Sequence, residues 1–219
     1  TDAAAHDRHA RVDGAFALHV APNVWSDFVV HRSGAALASA DVVRITITGR
    51  GGHASTPHWA TDPVPVACET VLALQTMITR TVNAFDPAVL TIARIDAGTT
   101  DNVIPESAEL TGTLRAVSEH TRHAVWGRIR QVADGVAAAH GCTAEVDVVE
   151  GYPVTVNDAA FTRWATEVAV DVAGSHHVVE MPSPVMGAED FSYVLQNVRG
   201  AMFFLGVCPA DIDNFLEAP

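Results

Sequence analysis

Val43-Arg44-Ile45-Thr46-Ile47-Thr48 decides the fold of this chain. Three β-branched apolar residues alternate with Arg44, Thr46 and Thr48, so this strand buries one face and wets the other. The pattern continues outward. Past a glycine-rich loop, Asp62-Pro63 has the form of an N-cap followed by a first-turn proline. Ala67, Val71, Leu74 and Ile78 then recur at helical spacing. Leu90, Ile92 and Ile95 mark a second strand. Leu110 and Leu114 flank Gly112 in a third, with Glu109, Thr111 and Thr113 on its opposite face. Val125, Ile129, Val132 and Val136 form a second helical stripe, which Gly141 closes as a C′ residue. Ala144, Val146 and Val148 alternate with Glu145 and Asp147 in a fourth strand. Residues 43–150 therefore read β-α-β-β-α-β, which predicts an antiparallel four-stranded sheet with both helices on one face, a ferredoxin-like sandwich.

The flanks have a different texture. Gly14 to Val20 reads as a buried strand ended by Pro22, and Phe28 to Arg32 as a second short strand. Beyond Gly151, Asn157 is positioned to cap a helix carrying Phe161, Trp164, Val168 and Val172, with Gly174 at its end. Met186 to Asn197 reads as a loop leading into a short helix, and Ala201 to Val207 as an apolar strand. Residues 1–12 read as a loose polar segment. The fold class is thus α/β, with the sandwich (43–150) inserted between pieces 1–42 and 151–219 of another domain.

Composition narrows the function. The 219 residues are 48% hydrophobic, enough for a real core. Thirteen Lys+Arg against 26 Asp+Glu give a net charge of −13, which argues against a nucleic-acid partner. No apolar run reaches a membrane span, and the start carries no charged-then-apolar leader. Cys68, Cys142 and Cys208 are scattered and form neither a disulfide framework nor a metal pair, which suits a reducing cytoplasm.

Three local patterns carry chemistry. The first is Gly49-Arg50-Gly51-Gly52-His53-Ala54-Ser55-Thr56-Pro57-His58, whose glycines permit a sharp turn and close approach after the strand. By itself it is also a plain surface loop. The second is Gly98-Thr99-Thr100-Asp101-Asn102-Val103-Ile104-Pro105, where Asn102 reads equally as a turn residue. The third is His19 in Ala17-Leu18-His19-Val20-Ala21-Pro22. It is either a satisfied core histidine or a residue at a strand end, where α/β enzymes place their sites.

Taken in order, these stretches, with GTTDNVIPESAELTGTLR and MGAEDFSYV, resemble the M20 metallopeptidase family. The likeness is to its aminoacylase, hippurate hydrolase and indole-acetyl-amino-acid hydrolase branch. The resemblance covers residues 13 to 208. It implies a zinc-peptidase-like α/β catalytic domain interrupted by a lid that forms a homodimer. It implies that His19 is a metal ligand and that His53 enters the partner subunit's site. Asn102 would hold the substrate and its oxyanion, and Arg115 would grip a substrate carboxylate, reading also as a solvated strand arginine. Glu189 and Asp190 would line the pocket, Asp190 reading also as a helix N-cap. The cofactor implied is a divalent metal, zinc or manganese. The family's upstream ligand motif, its Glu-Glu pair and its final histidine have no counterpart in this sequence. The expectation is a piece of a longer amidohydrolase acting on N-acyl amino acids, inactive by itself. The alternative is a catalytically dead dimerisation or binding module.

Overall fold

The computed structural model describes residues 12–209; the sequence reading of residues 1–12 falls, apart from Val12, outside them. In chain order the elements are β1 (Ala15–Trp25), β2 (Val29–His31), β3 (Gly34–Leu37), β4 (Asp41–Thr48) and β5 (Gly52–His53). A 3-10 turn (Pro57–Trp59), α1 (Pro63–Thr81), β6 (Ala88–Ala97), β7 (Val103–Ile104), β8 (Ser107–Ala116) and α2 (Glu119–Ala139) follow. The chain then runs through β9 (Thr143–Val149), β10 (Thr155–Asn157), α3 (Ala159–Ala173), β11 (Val178–Glu180), α4 (Phe191–Leu195) and β12 (Gly200–Cys208). Two compact units result. The second comprises Leu37–Val154 with Val185–Glu189, and the first holds the rest of the described residues. No helix among the described residues is long and apolar enough to cross a membrane.

The second unit is the ferredoxin-like sandwich. Its sheet has the order β6-β8-β4-β9, and every neighbouring pair is antiparallel. Val43, Ile45, Ile47, Leu110 and Leu114 form the buried face, packed against Val66, Ala67 and Leu74 of α1 and Val125, Ile129 and Ala133 of α2. Asp62 caps α1 by accepting from the Val64 amide at 2.9 Å, with Pro63 in the first turn. Ser118 caps α2 by accepting from the Thr121 amide at 3.1 Å. After α2 the chain reverses at Gly141, whose φ of 73° is the left-handed conformation that glycine accepts without strain. Gly112 is required for another reason. β6 bulges between Ile92 and Arg94 opposite it, and an added Cβ would collide with the Thr91 carbonyl oxygen.

A buried ionic knot ties the two ends of this unit. The guanidinium of Arg122 bonds both carboxylate oxygens of Asp41 (2.5 and 3.0 Å), Glu119 (3.0 Å) and the Gly151 carbonyl (3.2 Å). Trp126 Nε1 donates to Asp41 at 2.9 Å, and the Val154 amide donates to Glu119 at 2.8 Å. Burial opposes the charge on Arg122, but its bonds to Asp41 and Glu119 outweigh that and hold its pKa above the ordinary value.

The first unit is a mixed sheet of order β1-β12-β2-β11. β1 runs parallel to β12, β12 antiparallel to β2, and β2 parallel to β11. α3 packs over β12, β2 and β11, burying Ala165, Ala201 and Phe203. Two sequence expectations need correction here. β1 is not a buried strand. It lies at the sheet edge, and Phe16, Leu18 and Val20 remain about half exposed (48–55%). Nor does Pro22 end it; the strand shifts register between Ala21 and Trp25 and continues. The cap of α3 is Asp158, which accepts from the Phe161 amide at 2.7 Å. Asn157 is instead buried, bonding the main chain of Arg32 (2.8 Å) and Met202 (2.8 and 3.0 Å).

Candidate functional site

The glycine-rich loop after β4 and the Gly98–Pro105 loop after β6 meet at one end of the second unit. β5 and β7 form a short antiparallel ladder in which Gly52 faces Ile104 and His53 faces Val103. The Ala54 amide donates to the Asn102 carbonyl at 3.0 Å, and the Gly49 amide to the Glu106 carbonyl at 2.9 Å. Arg50 and Thr61 exchange two main-chain bonds of 2.8 Å, which closes the base of the loop. Glycines allow this crowding. A Cβ at Gly51 would sit 3.0 Å from the Ile104 carbonyl oxygen, and one at Gly52 would sit 3.0 Å from Ala60 Cβ.

The ladder brings His53 and Asn102 together from sequence positions 49 residues apart, and both remain exposed at the rim. The ring of His53 is held from behind: the Ser55 amide donates to Nδ1 at 3.2 Å, and Ser55 Oγ lies 2.7 Å from the same nitrogen. Thr100 Oγ1 lies 3.4 Å from Asn102 Oδ1. A rim that offers an imidazole and a carboxamide can hydrogen-bond an oxygen that gains negative charge.

The remaining candidates stand elsewhere. Arg115 is the penultimate residue of β8, facing Val89 in β6 and partly buried on the face away from the helices. Its strand starts near the ladder at Ser107. Eight residues of strand, at roughly 3.4 Å each, put Arg115 about 27 Å from that end. Within one protomer, a small substrate on His53 is out of its reach. Glu189 closes the Val185–Glu189 segment, which joins the second unit through the Leu37–Val185 bridge, and it is partly buried. Asp190 occupies the N-cap position of α4, but its side chain makes no capping bond there.

His19 belongs to the first unit, exposed on β1 with its ring edge-on to Phe204 at 6.2 Å. Among the described residues, no three His, Cys, Asp or Glu side chains converge to hold a metal ion. A catalytic zinc site takes about three protein ligands, of which the described residues offer His19 as a single candidate. Ser55, Asp41 and Arg122 escaped the sequence reading. The only cue to Ser55 was its place two residues after His53.

The sandwich and its rim loops match a known family. Residues 37–141 fit the model of the peptidase dimerisation domain of the M20 family. The chain carries an M20 peptidase dimerisation domain. A thermostable carboxypeptidase 2 from Saccharolobus solfataricus is 34% identical over 196 residues, covering 89% of this chain and 49% of that protein. An IAA-amino acid hydrolase, ILR1-like 2 from Arabidopsis thaliana, is 36% identical over 200 residues, covering 90% and 45%. The Bacillus subtilis YXEP protein, a dinuclear metal binding peptidase, superposes with a TM-score of 0.73 at 29% identity, over 89% of this chain and 48% of that one. The chain spans about half the length of the relatives it matches. Those relatives are hydrolases, and the dimerisation domain lies in the chain between β3 and β9 with the rim ladder at one end.

Proposed function

We propose that this chain supplies the dimerisation lid and part of the catalytic domain of a metal-dependent amidohydrolase that cleaves N-acyl amino acids or related amides. The observation that carries the reading is the β5–β7 ladder, which joins the His53 and Asn102 loops at one exposed rim. In this reading both side chains donate hydrogen bonds to the oxygen of the tetrahedral intermediate, where preorganised donors act most strongly. Arg115 grips the substrate carboxylate with its two-pronged guanidinium, and Glu189 lines the same pocket. The 27 Å offset along β8 means that Arg115 and His53 share a substrate only where two protomers meet. His19 is one ligand of a divalent ion, zinc or manganese, whose chemistry when bound is to polarise the amide carbonyl and activate water. The other ligands would come from the remainder of the enzyme. The assembly is a homodimer through the lid, and the 219-residue chain by itself turns over no substrate. All three cysteines are free, which supports a reducing, cytoplasmic setting.

The test uses the full-length enzyme. Two inactive variants are mixed, His53→Ala and one whose catalytic metal ligands are removed. If His53 acts in trans, heterodimers recover one working site. Heterodimers confirmed by mass but without amidase activity would reject the trans role. Chelator-sensitive hydrolysis of an N-acyl amino acid by the 219-residue chain would reject its inactivity.

A further inference from the structure

We propose that Ser55 is a positioning residue that fixes the imidazole of His53 with its proton on Nε2, so that the ring turns a donor outward. The Ser55 amide points at His53 Nδ1 from 3.2 Å. A main-chain amide can only donate, so Nδ1 must accept, and the one proton of a neutral ring then sits on Nε2. Ser55 Oγ lies 2.7 Å from the same nitrogen, and with the proton on Nε2 its hydroxyl shares that lone pair as a second donor. With the proton on Nδ1, two N–H groups would face each other at this distance. The arrangement is built into the backbone. The Thr56 amide donates to the His53 carbonyl at 2.9 Å, and the ladder holds Gly52 and His53 in place. The turn from His53 to Thr56 therefore delivers the Ser55 amide whatever the side chain at position 55.

The consequence bears on the rim chemistry. A developing oxyanion needs a donor. The opposite tautomer would offer it the Nε2 lone pair, and the two negative centres would repel. This consequence rests on the reading of His53 as an oxyanion donor; the tautomer itself does not.

The experiment records two-bond proton–nitrogen correlations of the ¹⁵N-histidine-labelled chain near pH 8.5, about two units above the ordinary imidazole pKa of ~6.5. His53→Ala assigns the signal, and exposed His120 serves as an unrestrained reference. We expect a single Nε2–H pattern for His53. It should persist in Ser55→Ala, which keeps the amide, and relax to the His120 mixture in Ser55→Pro, which lacks it. A wild-type His53 pattern matching His120 would overturn the proposal, even if Ser55→Pro failed to fold. So would an unchanged pattern in a folded Ser55→Pro. In the full-length enzyme, Ser55→Pro should lower kcat by part of the roughly 10²–10³ that a lost donor costs, with KM nearly unmoved. A locked tautomer with full activity in His53→Ala would sink the catalytic reading and leave the role of Ser55 standing.

Discussion

The ring of His31 lies nearly parallel to that of Phe203, with centroids 4.9 Å apart and planes inclined by 24°. His31 is buried in the first unit, and its Nδ1 has no hydrogen-bond partner. Burial lowers its pKa below the ordinary 6.5, and the charge of Glu180 offsets only part of that effect. Below pH 6.5 the unfolded chain therefore takes up a proton that the folded chain refuses. Stability from this group is complete above pH 6.5, falls as the pH drops from there towards the folded pKa, and is level beyond it. Urea midpoints at pH 7.5 and 5.5 should differ in the wild type and differ less in His31→Phe. Equal shifts in both proteins would exonerate His31.

Breaking the Arg122–Asp41 pair should be costly, because either partner left behind is a charge sealed from water. Asp41→Ala is expected to destabilise the dimerisation domain by about 3–5 kcal/mol. Replacing both residues by apolar side chains of similar volume should recover much of the loss. Denaturant unfolding of the single and double variants measures both. A double variant as unstable as the single would mean that packing, not charge, governs this corner.

Gly112 has no room for a side chain beside the Thr91 carbonyl. Gly112→Val should cost about 1–3 kcal/mol through overpacking and should disturb the β6 bulge. Amide exchange along Thr91 to Arg94 would rise more than exchange in β9. A neutral effect would show that the bulge can slide to accommodate the branch.

The dimer is expected to form along the β6–α1 side of the sandwich. Leu72, Phe85, Val89 and Ile95 are exposed there, at 70%, 97%, 43% and 46%. The opposite edge strand, β9, carries Glu145 and Asp147, whose like charges would meet across a two-fold axis. Leu72→Glu combined with Phe85→Glu should shift the sedimentation of the chain from dimer to monomer. Retention of the dimer would move the interface elsewhere.

Much of the sandwich was legible because one chemistry repeats along it. Val43, Ile45 and Ile47 share a strand face, and Ala67 and Leu74 share a helix face. These periods depend on local sequence alone. What escaped depends on partners distant in sequence. Asn157 looked like a cap because asparagine caps helices well, yet its amide is used by Arg32 and Met202. Phe16, Leu18 and Val20 looked buried because apolar runs usually are, but only the neighbours of a strand decide whether it lies at an edge. Arg122 read as one more polar residue on a helix, since Asp41 lies 81 positions away. The rim loops were legible through their glycines, and Ser55 was not, because its decisive group is a main-chain amide that every residue but proline carries.

The dimerisation domain leaves the rest of the chain and returns to it at almost the same point. The Ala40 amide donates to the Tyr152 carbonyl at 2.9 Å, and the Gly151 amide reaches Asp41 Oδ1 at 3.2 Å. Two chain ends so close can be grafted into any surface turn whose flanking residues stand about one strand spacing apart, roughly 4.8 Å. The host need not open further, and the graft brings its own fastening in Arg122. A gene segment spanning Leu37–Val154 moves as one piece, leaving behind only the Val185–Glu189 stretch that packs with it.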